Sequence, residues 1–376
     1  MNLVAYFQAR QAALLQDLRT LVEFESPTLD AVRTSALAEW LRPRFAAAGA
    51  TVQLVPGENG ASLLAEFGTD HVAESSPMMW LGHLDTVWPV GTLSRMPFRC
   101  ENECAFGPGI FDMKSSIVLM WEALAAVCAL QLPVRRPVRI LLTCDEETGS
   151  ASSRALVERE ARRCDRVYVF EPPLPGGAAK TQRKGIANYD LLVHGVEAHA
   201  GLEPENGASA VLELARQIEQ LHALNDYAAG LTVNVGVING GSGRNVVAGQ
   251  ARAEIDVRFW TMAQATRVMA QIERLGATVP GTRLALTGGL DRPPLERTPQ
   301  SAGLYEQTRQ LAADLGFVLA EGAAGGGSDG NFTSALGIPT LDGLGVAGAG
   351  AHATHEHILI ADLPRRAALL VRLLTG

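Results

Sequence analysis

MMWLGHLD, residues 78–85, is an apolar run that stops on a histidine and an aspartate. An unbroken apolar segment of this length reads as a strand buried on both faces. The pattern recurs twice downstream. VRILLTC (138–144) runs into Asp145, Glu146 and Glu147, and RVYVFE (166–171) ends on Glu171. Helical patterns at 115–130 and about 151–162 lie between these runs. Strand and helix in alternation predict an α/β layered sheet with mostly parallel strands. In open sheets of that kind ligands bind beyond the carboxyl ends of the strands. Here three apolar strands each deliver acids or a histidine at that edge. Polar residues that merely end strands would not need to be metal-ligand types every time.

Working outward, helical spacing covers about 3–24 and 31–48, with short strand-like runs near 51–55 and 62–67. The texture changes at about 180. IANYDLLVHGVEAHAG and QARAEIDVRFW alternate polar and apolar residues, as strands with one wet face do. Helices at about 206–223 and 262–275 and a strand at 231–238 accompany them. The expectation is a small α+β domain with an antiparallel sheet at 181–290, inserted into an α/β domain formed by 1–180 and 291–376. Gly-rich stretches at 322–330 and 343–350 read as loops around a site.

Composition narrows the function classes. A chain of 376 residues exceeds a typical single core, so two domains are expected. The formal net charge is −8 with a pI near 5.6 and no basic block, which excludes a nucleic-acid role. No run approaches the roughly 20 apolar residues of a membrane span. The five cysteines lack disulfide-framework spacing, and Cys100 and Cys104 have no second pair to complete a thiolate metal site. Reduced thiols and a cytoplasmic location are expected.

The candidate ligands in chain order are His83 and Asp85, Asp112, Glu146 and Glu147, Glu171, and a cluster in AHATHEH (351–357). Mixed histidine and carboxylate donors suit Zn²⁺ and its neighbours. Each residue alone admits a plainer reading. Asp112 in GIFDMKSS can cap the helix that follows it, Glu171 can terminate a strand before Pro172, and paired glutamates are usually solvated. AHATHEH itself does not follow the helical His-Glu-x-x-His pattern, because its glutamate and histidines are wrongly spaced and Gly and Ala precede it.

Taken together, the motifs GHLDTVWP, GPGIFDMK, TCDEETGS, FEP, RKG, AHAG, GRNVV, DRPP, GGGSDGN and HATHEH resemble, in order and over essentially the whole length, those of the dinuclear-zinc aminoacylase/carboxypeptidase family. That family includes acetylornithine deacetylases, succinyl-diaminopimelate desuccinylases and the glutamate carboxypeptidases, which look most similar. The resemblance implies His83 and Glu171 as ligands of one metal, Asp112 as the bridging carboxylate, and Glu147 as a ligand of one metal. It implies His352 as the histidine of the second metal, since Glu356 follows it at the family's spacing. Asp85 would orient the active-site groups and Glu146 would be the general base. One departure occurs: Ser115 follows Met113-Lys114 where the family commonly has glycine.

The same resemblance implies two Zn²⁺ ions, with Co²⁺ or Mn²⁺ as substitutes, and a metal-bridging water activated by Glu146. It implies a homodimer through the inserted domain, with His199 of AHAG stabilising the oxyanion from across the subunit boundary. Arg292 and Asn245 would grip a substrate carboxylate, and Gly327, Ser328 and Asp329 would line the pocket. The expected activity is removal of a C-terminal amino acid, with glutamate the first candidate, from an N-acyl or peptidyl substrate. An N-acyl-amino-acid deacylase or a dipeptidase shares that chemistry, and a non-catalytic metal-dependent binding protein is the alternative from another class.

Overall fold

The computed structural model describes residues 2–69 and 76–376. The chain divides into two units. One comprises Met1–Gln182, Arg297–Ala324 and Ser328–Gly376, and the other Arg183–Glu296 with Gly325–Gly327.

The first unit is built on a six-stranded sheet. Its order is Thr51–Gly57, Gly60–Phe67, Val138–Thr143, Met78–His83, Arg166–Val169 and Thr340–Leu341. The first two junctions are antiparallel and the other three are parallel. Side chains along the central strands alternate between two cores, as the period of two requires. Met78, Trp80, Ile140, Leu142, Tyr168 and Phe170 enter one cluster, together with the helices Leu3–Ala9, Gln11–Val22, Ala31–Ala47, Ser115–Ala129 and Leu363–Thr375. Met79, Leu81, Leu141, Val167 and Val169 enter the opposite cluster, with the helix Arg154–Ala161 and Phe332. A strand covered on both faces has no room for an alternating polar residue, which is why MMWLGH is continuously apolar up to its last position.

Parallel pairing sets the site. Met78–His83 pairs with Val138–Thr143 from Met78↔Val138 to His83↔Thr143, and with Arg166–Val169 on its other side. The three acid-bearing ends therefore leave the sheet along one edge.

The second unit is a four-stranded antiparallel sheet in the order Thr232–Gly240, Gln250–Phe259, Gly185–His194, Arg283–Arg292. Ala187, Tyr189, Leu191, Val193, Ala253, Ile255, Val257 and Phe259 face the helices Ala210–His222 and Met262–Ile272. Ser209 caps the first helix by accepting from Leu212 N at 3.2 Å, and Thr261 closes a capping box with Gln264 on the second. Arg183 donates from Nη1 to the carbonyls of Gly326 and Gly327 at 3.2 and 2.9 Å, which places that glycine segment with this unit.

Several elements differ from the sequence expectation. The helix expected over 3–24 breaks at Arg10, whose backbone leaves the helical region and whose guanidinium reaches Glu122 at 2.9 Å. The helix expected at 151–162 is confined to Arg154–Ala161, because Asp145 captures Ser152 and Ser153 ahead of it. The helix expected at 206–223 begins at Ala210, once Ala208 has paired with Val196. The strand Arg283–Arg292 was not expected: Gly288 and Gly289 interrupt its alternation, and Gly288 lies against the Asn188 backbone. The five cysteines are unpaired. Among the described residues no helix is long and apolar enough to cross a membrane.

Trp80 is fully buried and packs edge-on against Phe170 at 5.4 Å between ring centroids. Trp80→Ala is expected to lower the unfolding free energy of this unit by about 3–5 kcal/mol in denaturant titrations. A loss below about 1 kcal/mol would show that the site edge does not depend on this packing.

Candidate functional site

Strand Met78–His83 ends with the His83 imidazole buried. Its Nδ1 hydrogen-bonds the Asp85 carbonyl at 2.9 Å, which leaves Nε2 to face carboxylates. Nε2 lies 3.2 Å from Asp112 Oδ1 and 3.4 Å from Glu171 Oε1. Gly82 precedes it because a Cβ there would sit 2.3 Å from Met113 Cε; the Met113 sulfur instead accepts from His83 N at 3.3 Å. The strand end and the Asp112 segment are thereby pressed together.

Asp112 does not cap the following helix. It lies in a kinked segment, Ile110–Lys114, with non-helical φ −119° and ψ 92°, and the Asp112–Met113 peptide is cis. Its second oxygen, Oδ2, lies 3.5 Å from His352 Nε2, and His352 Nε2 is 3.0 Å from Glu147 Oε2. One carboxylate thus stands between two imidazoles, with Glu171 beside the first and Glu147 beside the second. Among the described residues Glu147 Oε1 is buried without a hydrogen-bond partner. His352 takes left-handed backbone, φ 62°, a conformation histidine visits more readily than most residues.

Asp85 organises the acidic turn from below. Its buried carboxylate accepts Glu146 N at 3.2 Å on Oδ1, and on Oδ2 accepts Glu147 N at 3.2 Å and the Thr28 hydroxyl at 2.7 Å. The two neighbouring glutamates are thereby set by one acid. Asp145, the third acid of the motif, turns into the fold and is held by Asn59 Nδ2, Ser152 and Ser153. The residues alone do not separate it from its neighbours; only the family resemblance assigns roles to Glu146 and Glu147 and none to Asp145.

Among the described residues, two groups of side chains bring ligand atoms within 4.8 Å of one another: His83 with Asp112 and Glu147, and His83 with Glu146 and Glu171. Glu146 therefore stands close enough to join the cluster that it is expected to serve as base. Hard and borderline donors gathered around shared imidazoles, with a buried carboxylate oxygen left unpartnered, fit divalent cations. Protons occupy the cluster otherwise. Burial opposes the His83 imidazolium, yet hydrogen bonds that it donates to Asp112, Asp85 and Glu171 raise its pKa well above the ordinary value. Hydrogen bonds donated to Asp112 and Glu147 raise His352 to about 10. Burial outweighs His352 at Glu147 and raises it, whereas the two histidines overcome burial at Asp112 and lower it.

The remaining expected residues fall elsewhere. In the second unit His199 is exposed, and its Nδ1 accepts Gly201 N–H at 3.1 Å. A neutral ring so held carries its proton on Nε2, the outward nitrogen. His199 bridges to Val246, and the Asn245 carbonyl accepts Ala200 N–H at 2.9 Å, so AHAG and GRNVV are neighbours. Arg292 is buried at the end of its strand, and Gly327 is half-buried. In the first unit Ser328 is fully buried, with its hydroxyl on Asp342 Oδ2 at 2.6 Å, and Asp329 accepts from the Thr143 hydroxyl at 2.9 Å. The side chains of these two point into the fold. Glu356, which served only to set the His352 register, proves to be buried against the Asp112 segment.

Metal must displace the protons that the imidazoles hold. Titrating Zn²⁺ into metal-free protein near neutral pH is expected to release protons, and His352→Asn to release about one fewer; equal release from both proteins would count against His352 as a ligand. In the metal-free protein the folded pKa of His352, about 10, exceeds its ordinary 6.5. Its contribution to stability is therefore complete below pH 6.5 and is lost as pH rises through about 10. Melting temperatures of metal-free wild type and His352→Asn should converge over that window.

Comparison with known proteins gives relatives of nearly full length. Carboxypeptidase G2 of Pseudomonas sp. (strain RS-16) is 28% identical over 382 residues, covering 98% of this chain and 91% of that protein. The succinyl-diaminopimelate desuccinylase of Dechloromonas aromatica (strain RCB) is 28% identical over 374 residues, covering 92% and 93%. Among solved structures, aminopeptidase PepT from Bacillus cereus ATCC 10987 superposes with a TM-score of 0.81 at 21% identity, over 97% of this chain and 98% of that one, which shows a shared fold. The family model describing peptidase family M20/M25/M40 matches residues 79–376, from within the histidine-bearing strand to Gly376, and the chain belongs to that family.

Proposed function

We propose that the protein is a metal-dependent exopeptidase that hydrolyses a C-terminal amide bond and releases an amino acid, glutamate being the first candidate, from N-acyl or peptidyl substrates. One observation carries the reading: Asp112 offers one oxygen to His83 and the other to His352, with Glu171 and Glu147 flanking. Two metals would be held by His83 and Glu171 and by His352 and Glu147, with Asp112 between them; Zn²⁺ fits these donors, and Co²⁺ or Mn²⁺ can replace it. Bound there, such cations supply Lewis acidity toward a carbonyl oxygen and acidify water.

The chain's own groups carry the rest. Glu146, fixed through its backbone by Asp85, takes a proton from the attacking water and returns it to the departing amine. His199, with its proton on the outward Nε2, is a donor suited to an oxyanion. Arg292 matches a bidentate grip on the substrate's free carboxylate, assisted by Asn245 and the Gly327 backbone; buried Ser328 shapes that loop. His199 acts in this reading from a partner subunit, in a homodimer formed through the second unit. The exposed Val237 and Ile238 on the edge strand Thr232–Gly240, and Val211 and Leu212 on the adjacent helix, support such an interface. The desuccinylase relative favours a second reading, an N-acyl-amino-acid deacylase with the same centre.

Glu146→Ala is expected to keep its metal and lose at least about 10³-fold in kcat on N-acyl glutamates. Normal turnover by that variant sinks the mechanism. Rates on acetylated amino acids and free dipeptides separate the carboxypeptidase from the deacylase and dipeptidase readings. His199→Ala should lower kcat by about 10²–10³ with little change in KM. Mixing it with Glu146→Ala should restore part of the activity, and a fully active monomer in sedimentation would end the cross-subunit assignment.

A further inference from the structure

We propose that Glu356 is a positioning residue for the metal centre: its carboxylate pins the turn that carries Asp112 to the turn that carries His352. The inference rests on reading the site as a dinuclear metal centre and concerns how this chain holds the shared carboxylate in place.

Glu356 is fully buried, and each oxygen takes two donors. Oε1 accepts Phe111 N at 2.9 Å and Asp112 N at 3.1 Å. Oε2 accepts Gly109 N at 2.9 Å and Trp88 Nε1 at 2.7 Å. Three backbone N–H groups converging on one anion form a nest, a concavity that fixes a negative group by oriented dipoles. Here the anion is part of the chain. The nest exists because the 109–113 backbone departs from a regular helix: Gly109 is left-handed at φ 69°, and Asp112 and Met113 are non-helical. A Cβ on Gly109 would meet Thr86 Cγ2 at 2.5 Å. Without Glu356 the N–H groups of Gly109, Phe111 and Asp112 would lose these acceptors in a buried segment, a situation native folds rarely tolerate.

The other end of the link is equally direct. The turn bearing His352 is closed by Ala353 N on the Gly350 carbonyl and Glu356 N on the Ala353 carbonyl, both at 2.9 Å. From Glu356 the chain enters the strand His357–Leu359, which pairs with Cys104–Phe106, and Gly107 N reaches the Glu356 carbonyl at 3.4 Å. Trp88 adds the loop that follows Asp85. One side chain therefore joins the three segments that follow His83, precede Asp112 and follow His352. Glu356 belongs to neither group of candidate ligands, so it acts through Asp112. A shift of Asp112 by a fraction of an ångström changes its reach to both imidazoles at once.

The test uses full-length protein and Co²⁺ as the probe. Glu356→Gln keeps the size but turns an amide donor toward N–H donors; Glu356→Asp keeps the charge and shortens the reach by one methylene. Both are expected to weaken Co²⁺ binding by about 10- to 100-fold and to change the visible absorption of the bound ion. Glu213→Gln is the control. Glu213 is likewise buried and accepts Thr278 N at 2.8 Å and Val279 N at 2.5 Å in the second unit. It should lower stability and leave the Co²⁺ spectrum as in wild type. If Glu356→Gln does not fold, Glu356→Asp carries the comparison. Wild-type affinity and spectrum in a folded Glu356 variant overturn the proposal, even where its melting temperature falls. Failure of wild type itself to bind two equivalents of Co²⁺ overturns the reading of the site instead.

Discussion

Carboxylates crowded at one edge of a sheet repel one another, and the first unit is arranged around that repulsion. The acids are set by backbone and side-chain donors or are drawn toward an imidazole. Asp85 faces backbone N–H groups of the acidic turn, Asp145 faces serine and asparagine, and Asp112 divides its oxygens between His83 and His352. Low dielectric makes every one of these pairings stronger and every unpaired charge more costly. The surrounding carboxylates raise the pKa of both imidazoles, and among the described residues Glu147 Oε1 has no hydrogen-bond partner.

Sheet topology accounts for how such a cluster arises from distant parts of a chain. His83, Glu146 and Glu171 lie at or just beyond the ends of neighbouring parallel strands, so register brings them to one edge and Asp85 then sets the turn that carries Glu146. Asp112 and His352 are different, because both sit on irregular turns braced by short strands and by Glu356. The rigid sheet supplies one histidine with its carboxylates, and the turns supply the shared acid and the second histidine.

Legibility in the sequence followed the same division. The strand-end candidates are readable because a doubly covered strand must be apolar throughout, so a histidine or acid at its end is conspicuous. The change of texture near residue 180 is readable because a sheet wet on one face alternates. For Asp112 the local pattern leaves a helix cap open beside the bridging role that the family resemblance implies, because the departure of residues 112–113 from helical backbone goes with distant contacts to Glu356 and His83 that no local pattern encodes. The break at Arg10 likewise has no local signal, since the partner of its guanidinium is Glu122, far along the chain. Gly288 and Gly289 hid a strand that is held by pairing with Gly185–His194 rather than by its own composition. Ser328 and Asp329 resembled pocket residues by motif, whereas their side chains serve the interior.

The alternation of Met78, Trp80 and Gly82 against Met79, Leu81 and His83 has a consequence for quality control. A slip of one residue in that strand would exchange the contents of the two cores and turn His83 to the opposite face in the same movement. Misregistered molecules would be both poorly packed and unable to assemble the site. Specific activity then doubles as a census of correctly paired sheets, and a preparation that hydrolyses at full rate per mole is by that fact a homogeneous fold.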